Sequence, residues 1–302
     1  MTVAVLNKFK VQDAPHVVLA ALAYSIFRLL GLLPLSLLQW MGKALGLLGA
    51  VLPGKYQARA RQNLRLAYPD ATPPMDRAVM VELLQMFLEL PYLWSRSNSG
   101  RLDKIIRCDH WWLIDEALEK GRGVILISPH IGAFEMLGPF YTQRHKATVI
   151  FKEPKMRWLK LFIDWIRFSP DLKLVPGTQT GVKGLVKTLM RGQTIGFLPD
   201  QVPALGDGVY APFFGKDAYT ITLVQRMQTV RNSPIFTVGL ERLPNGQGYY
   251  FHVVPMNEPL PENPEAAAAQ MNEALEAMIR KMPTQYLWGY NRYKQPRPQR
   301  SQ

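Results

Sequence analysis

The chain has 302 residues, of which 48% are hydrophobic and 11% aromatic, so it can bury a large core and is not globally disordered. Lys and Arg number 36 against 23 Asp and Glu, and the resulting net charge of +13 indicates an anionic partner such as nucleic acid, an acidic protein or a phospholipid surface. A single cysteine, Cys108, excludes an internal disulfide and a multi-cysteine metal site.

Two uncharged stretches, 17–27 and 29–42, lie near the N-terminus and are separated only by Arg28. Each is shorter than the roughly 20 residues that span a bilayer, but together they are long enough. The acid-free basic segment 54–65 follows, and such a segment beside an apolar one suits anionic headgroups on a cytoplasmic leaflet. We therefore predict an apolar, helical membrane anchor over 1–53; a buried helical hairpin followed by a solvated helix is the alternative.

Past residue 121, short apolar runs alternate with helical periodicity. Runs rich in Val, Ile and Phe predict strands at 123–128, 148–151, 194–198, 235–239 and 249–254. The segments between them predict helices near 133–143, 155–168, 180–191 and 218–231. This alternation predicts an α/β fold, with a mixed central sheet flanked by helices, over a main domain at 54–294.

The end of the chain contains one well-marked helix and a basic tail. Asn263 is a suitable N-cap for a helix that ends at Pro283. Apolar residues on one stripe of this helix are predicted to face the core: Met271, Leu275, Met278 and Met282. The final twelve residues hold four Lys or Arg and two Pro, which predicts a weakly ordered basic tail, and 295–302 are assigned to it as a separate segment.

His130 is the one histidine that directly follows a strongly predicted buried strand, a position where ligands gather in open α/β sheets. Glu135 lies five residues later and can reach it only if His130 is on the turn before a helix. A carboxylate on one ring nitrogen would fix the tautomer and let the other nitrogen act as a general base. A histidine bonded only to backbone at a strand end is the alternative.

Asp200 ends another predicted strand and is expected at the same sheet edge as His130. It could orient a substrate group or a nearby base, or cap a helix. The stretch 144–173 is a basic surface in which Arg167 could bind a phosphate bidentately. A Gly-x-Ser-x-Gly elbow, a dinucleotide loop, a Walker loop and zinc-ligand spacing are all missing, so neither a cofactor nor a metal is expected.

These elements, in this order, resemble the lipid A biosynthesis acyltransferases, or late acyltransferases, of the lysophospholipid acyltransferase superfamily. The His-x₄-acid element at 130–135 is the most specific part of the resemblance. The further matching elements are Lys55-Tyr56, Arg59 and Asn63-Leu64; Phe151-Lys152, Arg167 and Pro176; Asp200-Gln201 and Pro212–Gly215; and, near the end of the chain, Gln285–Lys294.

The resemblance implies a glycerolipid acyltransferase-like fold and an enzyme of the inner membrane whose active site faces the cytoplasm. It implies transfer of a fatty acyl group from acyl carrier protein to a hydroxyl of an anionic glycolipid, a lipid A precursor. His130 is then the general base and Glu135 the residue that holds its imidazole. The remaining residues expected to bind or position substrate are Arg167, Asp200, Gln201 and Lys152.

Departures from the family pattern leave the acyl-chain length and the acceptor open. Lys-Glu-Pro-Lys follows Phe151 where an Arg-Pro pair is more usual, and Tyr290-Asn291 replaces a His-Arg pair. A lysophospholipid, ornithine lipid or other glycolipid acceptor is an alternative within the same chemistry. A non-enzymatic basic module that binds membranes or nucleic acid is a remote alternative; nucleic acid is not expected, because aromatic residues are not interleaved with the basic run.

Overall fold

A seven-stranded mixed sheet forms the centre of the computed structural model, which describes residues 14–97, 101–151, 153–166 and 171–298. The strands are β1 Ile106–Arg107, β2 Val124–Ile127, β3 Ala147–Ile150, β4 Leu172–Val175, β5 Thr194–Phe197, β6 Gly208–Phe213, β7 Lys216–Ile221, β8 Ile235–Arg242 and β9 Tyr249–Pro255. The order in the sheet is β1-β9-β8-β2-β5-β3-β4, with β6 and β7 as a separate hairpin. Neighbours are parallel except β8 and β9.

Helices surround this sheet on both faces. They are α1 Ala14–Leu30, α2 Leu35–Val51, α3 Lys55–Ala67, α4 Pro73–Ser97, α5 Trp111–Glu119, α6 Leu137–Tyr141, α7 Arg157–Ile166, α8 Gln179–Met190, α9 Leu223–Gln228 and α10 Pro264–Lys281, with 3₁₀ turns at Phe134–Met136, Pro244–Gly246 and Pro283–Gln285. The predicted α/β architecture is confirmed, since the mixed sheet lies between helical layers.

Buried side chains form two apolar clusters, one on each face of the sheet. The cluster beneath α10 contains the predicted stripe of Met271, Leu275, Met278 and Met282, all at most 4% exposed, which confirms that this stripe faces the core. Asn263 caps α10 by accepting a hydrogen bond from the Ala266 amide. The N-cap residue therefore sets the start of α10, and the apolar stripe sets which face of the helix is buried.

All five predicted strands are present as β2, β3, β5, β8 and β9, but the helix predicted at 218–231 is largely wrong. Residues 216–221 form β7, and only 223–228 are helical. Phe214 and Gly215 both have positive φ, +47° and +73°, which makes the tight two-residue turn between β6 and β7. Pairing with β6 overrides the helical periodicity of this segment, because it buries Ala218 and Thr220 on one face.

The N-terminal helices α1 and α2 meet at 111°. Within the described residues no single helix is long and apolar enough to cross a membrane, and the bent pair reaches the required length and apolar composition only when its two helices are taken together. Helix α2 packs closely along α4 because Gly42 leaves room for it: an added Cβ would lie 2.6 Å from the Cα of Gln85. Large apolar side chains on the outer surface remain exposed, including Val18, Leu22, Leu29, Trp40, Leu48 and Val51. The membrane anchor remains a prediction.

The prediction of a weakly ordered tail over the last twelve residues is wrong at Arg292, which is 2% exposed. Gln295 accepts a hydrogen bond from the Tyr210 hydroxyl at 2.7 Å, and the Leu205 amide donates to the Arg297 carbonyl at 2.8 Å. Residues 299–302 of the predicted tail lie outside the described residues. The packed part of the tail therefore borders the β6–β7 region.

Candidate active site

The sheet brings His130 and Asp200 together because their strands are neighbours in register. Ile127, the last residue of β2, pairs with Phe197, the last residue of β5. His130 and Asp200 each lie three residues beyond this pair, so two positions 70 residues apart in the chain meet at the carboxyl ends of adjacent parallel strands. Such ends are where α/β sheets bind ligands.

Asp200 holds both the ring and the backbone of His130. Its Oδ1 lies 2.7 Å from His130 Nδ1, and its Oδ2 accepts the His130 backbone N–H at 3.0 Å. Because the carboxylate accepts, Nδ1 carries the proton and Nε2 keeps its lone pair. The side-chain nitrogen of Gln201 lies 3.1 Å from Nε2, where its amide donates to that lone pair. The ring is therefore oriented so that Nε2 can act as a base, and this nitrogen accepts a hydrogen bond from the neutral Gln201 amide.

A left-handed glycine shapes the turn after His130. Gly132 has φ +56°, and a Cβ added there would overlap the carbonyl oxygen of Leu240 on β8. The same Leu240 carbonyl accepts the Ala133 amide at 2.8 Å, and the Gly132 amide donates to the Gln285 carbonyl at 3.0 Å. This turn leads into the 3₁₀ segment Phe134–Met136, which carries Glu135.

The closing segment, residues 285–292, connects the two loops that carry His130 and Asp200. The Leu287 amide donates to the His130 carbonyl at 3.1 Å, and the Val202 amide donates to the Tyr290 hydroxyl at 3.0 Å. Asn63 of α3 in turn fixes the segment by donating to the carbonyls of Trp288 and Tyr290, at 2.7 and 2.8 Å. The basic helix α3 thereby contributes a buried side chain to the support of the site.

The charges at the site raise the pKa of His130 and lower that of Asp200. Burial opposes the charged imidazole, but the Asp200 carboxylate, its hydrogen bond and the charge of Glu135 together raise the pKa of His130 above its ordinary value. Burial also opposes the Asp200 carboxylate, but the charge and hydrogen bonds of His130, with the charge of Arg292, bring its pKa below the usual range. His130 is therefore a stronger base than a free imidazole.

The six predicted site residues fall into two groups. His130, Glu135, Asp200 and Gln201 lie in the described part of the chain, whereas Lys152 and Arg167 lie outside it. Glu135 is half-buried and acts on His130 through its charge, but the carboxylate at Nδ1 is that of Asp200. The structure thus gives Asp200 the position that sequence spacing assigned to Glu135, because the pairing of β2 with β5 is not visible in local spacing.

Three buried residues around the site were not among the predicted site residues: Asn63, Tyr286 and Arg292. All three fall in segments that carry the family resemblance, which was the available signal, but neither charge nor spacing distinguished them from structural residues. In the segments that the structure describes, no group of three or more His, Cys, Asp or Glu is arranged to hold a metal ion.

Comparison with known proteins gives one consistent result. The family described as bacterial lipid A biosynthesis acyltransferase matches residues 7–295. The lipid A biosynthesis lauroyltransferase of Escherichia coli K12 is 23% identical over 93% of this chain and 92% of its own length. The lipid A biosynthesis palmitoleoyltransferase of the same strain is 23% identical, covering 87% and 86%. A lipid A biosynthesis acyltransferase of Haemophilus influenzae is 26% identical, covering 93% and 92%.

Proposed function

Because the chain belongs to the bacterial lipid A biosynthesis acyltransferases, we propose that it transfers a fatty acyl group from an acyl carrier protein thioester to a hydroxyl of a lipid A precursor. The acceptor hydroxyl is on a 3-hydroxyacyl chain, so that the product is an acyloxyacyl ester. The observation that supports this most is the His130–Asp200 pair at the strand ends, since it leaves a basic nitrogen directed away from its carboxylate.

The proposed reaction needs one general base and no covalent enzyme intermediate, because the thioester is already activated. His130 Nε2 takes the proton of the acceptor hydroxyl as its oxygen attacks the thioester carbonyl carbon. The carbon–sulfur bond then breaks as the ester carbonyl re-forms, and the departing thiolate takes the proton from the imidazolium. Asp200 holds the imidazole and stabilises its charged form through the 2.7 Å contact at Nδ1.

We assign Gln201 to the acceptor side. Its amide occupies the lone pair of His130 Nε2 at 3.1 Å, so an incoming hydroxyl must displace it before losing a proton. Glu135 increases the basicity of the ring through its charge. Lys152 and Arg167 are assigned to substrate phosphate or donor binding from the family resemblance, and Arg is suited to bidentate contact with phosphate.

The proposed place of action is the cytoplasmic surface of the inner membrane. Residues 14–69 contain no Asp or Glu, and their six cations are all exposed: Arg28, Lys43, Lys55, Arg59, Arg61 and Arg65. These charges accompany the exposed apolar side chains of α1 and α2, a combination that suits an anionic leaflet. The same positive surface suits acyl carrier protein, an acidic donor, and an acceptor that carries phosphate groups.

An acyl-transfer assay tests this function. Detergent-solubilised protein is given acyl carrier protein thioesters of several lengths and a tetra-acylated lipid A precursor, and products are identified by mass spectrometry. We expect product from the wild type and a loss of about 10²–10⁴-fold with His130→Ala. His252→Ala is the matched control, since His252 also lies 2.7 Å from a carboxylate, that of Glu241, but on β9.

Equal turnover by His130→Ala and wild type would exclude His130 as the base. If folded wild-type protein gives no product with any thioester, the lipid A precursor is not its acceptor. The assay is then repeated with lysophospholipid and ornithine-lipid acceptors, which separates a different acceptor from a different reaction.

A further inference from the structure

The mechanism proposed above leaves one buried charge without a role. Arg292 is 2% exposed, and its two terminal nitrogens donate to neutral acceptors on β7: the Tyr219 carbonyl at 2.7 Å and the Thr220 hydroxyl at 2.6 Å. Within the described ranges its Nε has no hydrogen-bond partner. A buried guanidinium that donates only to neutral groups still needs a counter-charge, because burying an uncompensated charge is very costly.

Asp200 is the buried carboxylate whose charge acts on Arg292, although among the described residues the two side chains form no direct ion pair. It is itself 2% exposed, and it interacts electrostatically with Arg292. The other groups whose charge acts on Arg292 are the phenols of Tyr286, Tyr290 and Tyr293. Burial raises the pKa of Tyr286 and Tyr293 above the ordinary value, so these phenols are neutral at pH 7.

The closing segment 285–292 brings Arg292 to this position. The buried Tyr286 phenol interacts electrostatically with Asp200. The Leu287 amide donates to the His130 carbonyl, and the Tyr290 hydroxyl accepts the Val202 amide. One continuous segment therefore binds the backbone of the base and the loop that follows its carboxylate. Arg292 ends this segment, and the β6–β7 hairpin fixes its guanidinium.

We propose that Arg292 is a positioning residue whose fixed positive charge keeps Asp200 ionised, and so sets the pH range in which His130 is an available base. This inference rests on the proposed function. At a pH above its pKa, His130 is charged only while it holds the transferred proton, whereas Arg292 is charged throughout the cycle. Arg292 thus balances the negative charge of Asp200 in the resting enzyme. Its positive charge also disfavours binding of an additional proton by the His130–Asp200 pair.

Two substitutions separate the charge of Arg292 from its packing. Arg292→Gln removes the charge and keeps a donor for the Tyr219 carbonyl, whereas Arg292→Lys keeps the charge and loses the two-pronged contact. Without the cation, the His130–Asp200 pair binds its proton more tightly, whichever of the two groups takes it. We expect the acid limb of the kcat/KM profile to move up by about half a pH unit or more in Arg292→Gln and to stay in place in Arg292→Lys.

A second readout does not depend on the substrate. The ring nitrogens of His130, labelled with ¹⁵N, are titrated by NMR in wild type and in both variants, and the midpoint is expected to move with the acid limb. Arg280→Gln is the matched control: Arg280 is a half-exposed cation on α10 whose partner is Glu276 at 3.0 Å, and its loss is expected to move neither readout.

The outcomes separate this inference from the proposed function. Folded Arg292→Gln with an unchanged His130 midpoint and an unchanged acid limb would overturn the role of Arg292 and leave the acyl-transfer proposal intact. Wild-type protein that transfers no acyl group fails the proposed function, while the NMR midpoint still measures the effect of Arg292 on the pair. Should Arg292→Gln not fold, Arg292→Met, with its unbranched side chain, replaces it with the same expected shift.

Discussion

Two buried ionic clusters lie near the end of β8, one around Arg242 and one around His130. They differ in whether a substrate group can replace one of the hydrogen-bonding partners. Arg242 is a permanent cation held by Glu89, with Nε 2.7 Å from Oε2, and by Glu82, which ties β8 to α4. His130 is held by Asp200 on one side only, and its other nitrogen meets the neutral amide of Gln201. The first cluster is committed to structure, whereas the second keeps a titratable nitrogen that a hydroxyl can reach.

Among the predicted effects, the largest is the loss of turnover in Asp200→Asn, which removes the charged partner of His130. The amide cannot stabilise an imidazolium and favours the wrong tautomer, so turnover is expected to fall about 10²–10⁴-fold. The thermal midpoint is expected to fall as well, because the buried Arg292 loses the negative charge that acts on it. Glu135→Gln, measured in the same acyl-transfer assay, is expected to cost about 10-fold, because the negative charge that acts on His130 is lost. A larger loss in Glu135→Gln than in Asp200→Asn would return the orienting role to Glu135.

Arg242→Met is expected to act on stability rather than on chemistry. It leaves Glu89, which is fully buried, without its cation, and breaking a buried pair in this way costs about 3–5 kcal/mol. Denaturant unfolding followed by circular dichroism measures the loss. Glu241→Gln, which alters a more exposed carboxylate one residue away, is the control, with an expected change below about 1 kcal/mol. Equal stability of Arg242→Met and wild type would mean that the cluster does not hold α4 to the sheet.

Gly132→Ala tests the turn that places His130. The substitution adds a Cβ against the Leu240 carbonyl at a positive φ, so we expect about 1–3 kcal/mol of destabilisation together with reduced turnover. At Gly121, φ is +71° and a Cβ would meet nothing within 4 Å, so Gly121→Ala carries the backbone cost alone. If the two variants behave alike in unfolding and in turnover, the close approach to Leu240 has no role in placing the base.

The pH dependence gives the smallest and most specific effect. A general base must be unprotonated, so kcat/KM falls as the pH drops through the pKa of His130. Since this pKa is raised, the midpoint of the acid limb is expected above 6.5 in the wild type and lower in the residual activity of Asp200→Asn. A midpoint in Asp200→Asn equal to that of the wild type would show that Asp200 does not act on the base.

The sequence predicted the strands that matter for the site and the two residues at their ends. Runs of Val and Ile mark β2 and β5, and the rule on carboxyl ends of strands is sufficient to select His130 and Asp200. Which carboxylate meets Nδ1 was not predictable, because β2 and β5 are adjacent in space while β3 and β4 come between them in the chain. Spacing along the chain favours Glu135 as the partner of Nδ1, whereas the order of strands in the sheet places Asp200 there.

The misread segments share one physical cause. Most of β7 falls in the segment 218–231 that was predicted to be helical, and the end of the chain has the Pro and basic residues typical of a tail. Each is ordered by a partner distant in sequence: β7 pairs with β6 across Phe214 and Gly215, and Arg292 is held by backbone and hydroxyl oxygens of β7. Tertiary hydrogen bonds of this kind leave no pattern in the local sequence.

His130 lies three residues beyond Ile127, and Asp200 lies three residues beyond Phe197. Because these two distances along the chain are equal, neither connection can gain or lose a residue without separating the two side chains. One residue inserted between Ile127 and His130 would displace the imidazole by about one strand step, roughly 3.3 Å, and the 2.7 Å contact with Asp200 would be lost. The much longer stretch between β2 and β5 has no such constraint, because the sheet register rather than chain length aligns the two ends. Insertions in the connection between α6 and β3, which carries no residue assigned to the site, are therefore expected to be tolerated far better than a single extra residue at either strand end.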